Sequence, residues 1–303
     1  MSVPSAAHPK SILFAGVGLM GTPMVTRLAV AGHRLTLLDT DTARVAALAE
    51  RLGAAAVATP GAAGPVDLAI LMLPDSDVVH AVADGPGGLL ETLPPGTLIV
   101  DMGSSRPAAT VALAERADAA GLRLADAPVS GGVAKAETGE LTIMFGGAEE
   151  HLAEARETLG AMGTTVTHTG PVGSGHAMKA LNNLLSAIGL TAAAEVLSIG
   201  AKFGLDPEVM VDVINHSTGR NQATEVKYPK HVLNRAFDSG FALRLMVKDV
   251  AIAMDLAALT GTSAPLGGAV LQAAVGAVQM LEEGADHTEV VRYVERNAGV
   301  ELR

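Results

Sequence analysis

Along the first half of the chain short apolar runs alternate with amphipathic stretches, and along the second half only the helical period persists. Residues 12–15 form a run of apolar side chains, and 22–31 carry the i, i+3, i+4 spacing of a helix that stops at Gly32. The pair recurs as strand 34–38 with helix 42–52, strand 66–73 with helix 75–83, and strand 97–100 with helix 107–120. Gly53 and Gly121 close two of these helices, and Pro107 opens one. Strand 122–126 follows, then strand 141–145, helix 149–161 and a last strand at 164–167. Runs that are apolar throughout, instead of at alternate positions, predict strands covered on both faces. The first half therefore reads as a parallel sheet between helices.

After Gly170-Pro171 the strand pattern ends, and helices are predicted at about 174–203, 206–215, 225–234, 241–259, 265–283 and 286–297. The first of these would span about 45 Å, enough to join two domains, which places the domains at 10–172 and 173–303. Lys179 and Asn183 lie four residues apart near its start and stack on one face. Unpaired N–H groups and the positive end of the helix dipole disfavour an ammonium there. Lys179 is thus a candidate acid/base with a lowered pKa, the alternative being a surface lysine beside a capping asparagine.

Composition narrows the partners. A chain of 303 residues, 49% apolar and 17% charged, has room for two domains and a sizeable core. Thirty-two acidic against 21 basic residues give a net charge of -11 without a clustered Lys/Arg run, which argues against nucleic acid or an anionic membrane as the main partner. The chain holds no cysteine, which excludes disulfides, thiolate zinc sites and cysteine nucleophiles, and no metal site is expected. The opening MSVPSAAHPK lacks the apolar core of a signal peptide, so the expected location is cytoplasmic. The apolar run 184–201 carries Glu195 at its middle and follows two asparagines, as a buried or subunit-facing helix would. Together with 264–281 it is too apolar around its circumference for one-sided burial, so a homodimer or homotetramer is expected.

Three stretches carry candidate chemistry. Gly16-Val17-Gly18-Leu19-Met20-Gly21 stands between the first strand and first helix, and Asp39 closes the second strand. In this dinucleotide fingerprint Gly16 permits the tight turn, Gly18 lets backbone N–H groups approach a pyrophosphate, and Gly21 allows close packing of the helix. Asp39 can accept hydrogen bonds from the adenosine ribose and would repel a 2′-phosphate, favouring NAD over NADP. Leu73-Pro74 and the stretch from Asp101 to Pro107 leave the ends of two further strands, where ligands of open α/β sheets bind, although either proline could simply start a helix. Ser130, Gly131 and Gly132 follow strand 122–126 and could cradle a small carboxylate, the alternative being a plain connecting turn.

Four motifs in this order, GVGLMGTPM at 16–24, DAPVSGG at 126–132, GSGHAMKALNN at 173–183 and KDVAIAMD at 248–255, resemble the β-hydroxyacid dehydrogenase family from about residue 12 to about residue 298. The resemblance implies a Rossmann-type N-terminal domain, a long interdomain helix and an all-α C-terminal domain that mediates subunit contacts. It places the catalytic lysine on Lys179 and its supporting asparagine on Asn183, the substrate loop on Ser130, Gly131 and Gly132, and cofactor contacts on Leu73, Pro74 and Ser104. Gly103 departs from the family's usual serine. Lys248 matches a lysine near nicotinamide and substrate, Arg220 lies in a stretch where members vary and is expected as a further substrate contact, and His176 is taken as structural. The implied activity is NAD-dependent hydride transfer between nicotinamide and a small 3-hydroxy acid or its semialdehyde, with a small carboxylate as the substrate partner. An imine reductase usually has tyrosine or aspartate where this chain has Lys179, and a non-catalytic dinucleotide-binding module would have no need of Lys179 and Asn183.

Overall fold

The computed structural model describes residues 8–303, so most of the opening segment weighed above as a signal peptide lies outside the described residues. The chain divides into two compact units, the first ending at Lys179 and the second spanning Ala180–Arg303. Elements of the first unit run β1 (Ser11–Ala15), α1 (Gly21–Val30), β2 (Arg34–Leu38), α2 (Thr42–Leu52), β3 (Ala55–Val57), β4 (Leu68–Leu71), α3 (Ser76–Asp84), α4 (Leu89–Thr92), β5 (Leu98–Asp101), α5 (Pro107–Ala119), β6 (Arg123–Asp126), β7 (Val129–Ser130), α6 (Gly132–Thr138), β8 (Thr142–Gly146), α7 (Glu149–Gly160) and β9 (Thr165–Gly170). They form one sheet in the order β3-β2-β1-β4-β5-β6-β8-β7, with β9 paired to β8.

The six strands from β1 to β6 pair in parallel, as the continuous apolar runs predict. Ile12, Phe14, Ile70 and Val100 face α1, α2 and α7 on one side. Leu13, Ala69, Leu71 and Ile99 face α3 and α5 on the other, which is why no polar alternation appears along these strands. The far end of the sheet differs: β8 runs antiparallel to β6 and β7. The strand predicted at 66–73 is shorter, Leu68–Leu71, because the chain leaves the sheet at Met72, whose carbonyl turns onto Gly16. The short β3, β7, α4 and α6 have too few residues to show a period.

Helix α8 (Ser174–Phe203) starts in the first unit and continues into the second, where α9 (Pro207–Asn215), a π-helix (Ala223–Val232), α10 (Leu243–Leu259), α11 (Pro265–Met280), a 3-10 turn (His287–Glu289) and α12 (Val290–Ala298) follow. Leu190, Ala194 and Leu197 of α8 pack with Val211, Tyr228, Val250, Ala274 and Val291. By length and composition α8 is apolar enough to cross a bilayer, yet this face of it builds a protein core. The predicted α-helix at 225–234 is instead a π-helix with Pro229 inside it. Proline has no N–H for the i−4 carbonyl and its ring would collide with that carbonyl, so a wider turn relieves the conflict.

The helices predicted at 241–259 and 286–297 are both trimmed by one corner. Leu243 donates its N–H to the Ala285 carbonyl and His287 to that of Phe241, which holds 241–242 extended. Asp286 closes a capping box with Glu289 and also accepts from the Ser239 hydroxyl, the Gly240 and Phe241 amides and the Thr288 amide and hydroxyl. Burial disfavours the carboxylate, but bonds from His287, Thr288 and Ser239 outweigh it and hold its pKa well below the ordinary range. A depressed folded pKa means stability that is present above the unfolded value, near 3.9, and is lost as pH falls towards the folded one. Asp286→Ala is therefore expected to cost roughly 2–4 kcal/mol at pH 7. Urea midpoints of the variant and the unmodified protein should begin to converge below about pH 4 and draw closer as pH falls towards the folded pKa.

Candidate active site

Gly16 sits at the end of β1 with φ 96°, a left-handed conformation that favours glycine, and a Cβ there would overlap the Met72 carbonyl and come 3.2 Å from Leu73 Cδ2. A Cβ on Gly21 would overlap the Gly16 carbonyl, so this glycine lets α1 begin directly against the turn. The Val17 amide donates to Asp39 Oδ2 at 2.8 Å, and Asp39 Oδ1 accepts from the Asp41 amide at 3.0 Å. The first turn of α1 carries no side-chain cap and Leu19 is exposed. A helix N-terminus without a side-chain cap, behind a glycine turn, fits the pyrophosphate of a dinucleotide. Arg44, the nearest arginine after Asp39 along the chain, pairs with Asp41 at 2.9 Å and places Nη1 3.9 Å from where a Gly18 Cβ would lie.

The loops after β4 and β5 are pinned to each other. A Cβ on Gly103 would lie 2.5 Å from the Leu73 carbonyl oxygen and 3.1 Å from Asp101 Oδ1, so the departure from serine at this position has a steric cause. Asp101 is buried, with Oδ1 accepting from the Gly103 amide at 2.9 Å and Oδ2 from the Ser105 hydroxyl at 2.7 Å. Ser104 is half-buried in this loop and Pro74 exposed in its neighbour. The structure thus gathers Gly16, Val17, Asp39, Leu73 and Gly103 along one edge of the sheet, at the carboxyl ends of β1, β2, β4 and β5.

At the end of β6 the carboxylate of Asp126, fully buried, takes the amides of Gly173 at 2.6 Å and His176 at 2.7 Å. These donors belong to the start of α8, so one aspartate ties that helix to the strand leading into Ser130. Burial pushes its carboxyl above the ordinary range, while the His176 ring and the two amides pull the other way. His176 is buried as well: Nδ1 lies 2.8 Å from the Thr110 hydroxyl, and the ring is 3.7 Å from both Asp101 and Asp126. Gly175 packs so closely that a Cβ would be 2.8 Å from Asp126 Oδ2 and 3.1 Å from Pro128. Gly131 and Gly132 are exposed with φ of 133° and 68°, and Ser130 is half-buried. Lys179, one turn beyond His176, is half-buried.

In the second unit Asn183 donates through Nδ2 to Asp249 Oδ2 at 2.5 Å and accepts at Oδ1 from Asn182 at 3.1 Å. Lys248 lies 3.6 Å from Asp249 Oδ1. Asp249 is therefore the residue that brings Asn183 and Lys248 together, and its place in the Lys248-Asp249 pair was the only signal for it. Lys227, also missed, is buried and donates to the Ser186 hydroxyl at 2.9 Å. Arg220 is exposed and pairs with Glu225 at 3.5 Å.

A sheet edge shaped for a dinucleotide, followed by one helix carrying a lysine and an asparagine a turn apart, defines a two-domain nicotinamide-dependent oxidoreductase. Residues 11–170 match the family described as the NAD binding domain of 6-phosphogluconate dehydrogenase, and residues 173–294 that described as the NAD-binding of NADP-dependent 3-hydroxyisobutyrate dehydrogenase. A 2-(hydroxymethyl)glutarate dehydrogenase of Eubacterium barkeri is 35% identical over 95% of this chain and 96% of its own. An NAD-dependent L-serine dehydrogenase of Pseudomonas aeruginosa is 36% identical over 86% of this chain and 90% of its own. The solved structure of Mycobacterium tuberculosis 3-hydroxyisobutyrate dehydrogenase with L-serine matches with a TM-score of 0.87 at 32% identity, covering 94% of this chain and 99% of that one. The chain belongs to the β-hydroxyacid dehydrogenase family and is an NAD(P)-dependent oxidoreductase of the CH–OH class. A Myxococcus stipitatus imine reductase, 17% identical with a TM-score of 0.64, shares the fold alone.

Proposed function

We propose that the protein transfers a hydride between NAD and a small 3-hydroxy acid, or the matching semialdehyde, with Lys179 as the general acid/base. The observation that carries this reading is the anchoring of α8: Asp126 fixes its first turn beside the loop leading to Ser130, and Lys179 follows one turn later, half-buried. Bound at the glycine turn, the nicotinamide dinucleotide supplies the hydride acceptor or donor. Gly16, Val17, Gly18, Leu19, Met20 and Gly21 cradle its pyrophosphate, Asp39 takes the ribose, and Leu73, Pro74, Ser104 and Lys248 contact the nicotinamide half. Ser130 with the amides of Gly131 and Gly132 receives the substrate carboxylate, and Asn183 and Lys248 are further substrate contacts. In oxidation Lys179 takes the hydroxyl proton; in reduction it returns it. An imine reductase reading sits poorly with Lys179, and a non-catalytic module would have no need of Lys179 and Asn183.

The test is a panel of 3-hydroxy acids and semialdehydes assayed with NAD and NADP. NAD should be preferred, because a 2′-phosphate would meet the charges of Asp39 and Asp41, and Asp39→Ser should relax the preference. Equal kcat/KM for the two dinucleotides in the unmodified protein would refute the role of Asp39. A homodimer or homotetramer fits Leu185, Ile199 and Phe203, which are 71%, 71% and 84% exposed along α8. Sedimentation showing only a 30.6 kDa species would contradict it. A cytoplasmic location completes this reading.

A further inference from the structure

Asp101 closes β5 and Asp126 closes β6, and the two are partners in the parallel register of these strands. Two carboxylates therefore leave the sheet side by side. Both are buried, where like charges repel strongly unless a further group lies beside them. The His176 ring, wholly buried, fills this place: Nε2 is 3.7 Å from Asp101 Oδ2 and Nδ1 is 3.7 Å from Asp126 Oδ2. A hydrogen bond between Nδ1 and the Thr110 hydroxyl of α5, 2.8 Å long, fixes the ring, and among the described residues Nε2 has no hydrogen-bond partner.

Each carboxylate holds a different part of the candidate site. Asp101 organises the loop after β5 through the Gly103 amide and the Ser105 hydroxyl, whereas Asp126 holds the first turn of α8 through the amides of Gly173 and His176. Lys179 follows His176 by three residues, so the two are neighbours on the helix surface, about 4.5 Å apart along the axis. We infer that His176 is a positioning residue for the reaction: its ring sets the distance between the dinucleotide loop after β5 and the turn of α8 that carries Lys179. The ring belongs to the second part and lies against the anchor of the first, so a change in its size or polarity moves Lys179 relative to the loop. This deepens the function proposed above and rests on its assignment of Lys179 as the acid/base and of Ser104 to the nicotinamide half.

The test measures kcat and NAD affinity for His176→Leu, His176→Asn and Thr110→Val, each made in the unmodified chain and again in Lys179→Ala. Leucine removes both ring nitrogens, asparagine keeps a polar atom near the place of Nδ1, and Thr110→Val leaves the histidine but takes away its hydrogen bond. With Lys179 present, His176→Leu should lower kcat about 10- to 100-fold, as a misplacement of about 1 Å does, while the NAD dissociation constant stays within about threefold. Asparagine should recover part of the loss, and Thr110→Val should show a smaller loss of the same kind. With Lys179 absent, the same substitutions should lower the residual kcat by less than about twofold, because no lysine remains to be misplaced. Urea midpoints show which variants are folded, and should His176→Leu not fold, Thr110→Val carries the comparison. Equal losses in the two backgrounds, unchanged kcat in the folded variants, or a loss explained by weaker NAD binding would each overturn the inference. A Lys179→Ala chain as active as the unmodified one would instead refute the proposed acid/base, a result read from that variant alone.

Discussion

Lys179→Ala is expected to lower kcat by about 10²- to 10⁴-fold or more while the affinity for NAD stays within a few-fold. Hydride cannot leave the carbinol carbon readily unless the hydroxyl proton leaves with it, and the proposed mechanism gives that proton to Lys179 alone. Removing the lysine should therefore appear in kcat and kcat/KM together, the signature of an interaction made in the transition state. The glycine turn would be untouched, because it is organised by Asp39, Met72 and Leu73, all local to the sheet edge. Lys179→Arg should be nearly as impaired as the alanine variant, since a guanidinium keeps the charge but does not release its proton. Intact kcat in Lys179→Ala would remove α8 from the chemistry altogether.

Asp126→Ala is the substitution expected to cost most in stability, about 3–5 kcal/mol. Its carboxylate is fully buried and is the acceptor for two amides at the start of α8, with the His176 ring 3.7 Å away. Alanine would leave both buried amides without their acceptor. Asp126→Asn keeps the shape but turns one acceptor into a donor facing an amide, so it should recover only part of the loss. Urea unfolding followed by far-UV dichroism should show the midpoints falling in the order unmodified, asparagine, alanine. Activity should fall with them under conditions where the variants remain folded, because the turn that carries Lys179 is no longer held to β6. Superimposable unfolding curves for Asp126→Ala and the unmodified protein would show that the bonds to Gly173 and His176 are dispensable.

What could be read from the chain and what could not divide along sequence distance. The glycine turn, its strand and helix, and Asp39 are local, and each residue type is dictated by its own backbone, so the pattern announced them. The long α8 announced itself by an unbroken apolar period, and Lys179 with Asn183 by spacing alone. The partners that hold these residues come from far along the chain: Asp249 reaches Asn183 across 66 residues, Asp126 reaches Gly173 across 47, and Ser186 meets Lys227 across 41. No periodicity encodes such pairs. Gly103 looked like a departure from pattern until the Leu73 carbonyl was seen to occupy the space of its Cβ. At Pro229 a local signal was present, since proline inside a helical stretch forbids an ordinary turn, but the neighbouring Tyr228, fully buried with its hydroxyl donating to the Leu190 carbonyl at 2.9 Å, is held by a contact that no local pattern encodes.

Chemical rescue tests the role of Lys179 most directly. Lys179→Ala would be assayed for oxidation of the best 3-hydroxy acid with and without small primary amines, with NAD affinity measured on the same samples by titration calorimetry. A general base supplied from solution should restore part of kcat in proportion to the free-amine concentration, without changing NAD affinity. A loss of kcat that no amine recovers, accompanied by weakened NAD binding, would mean that Lys179 serves the structure and not the proton transfer.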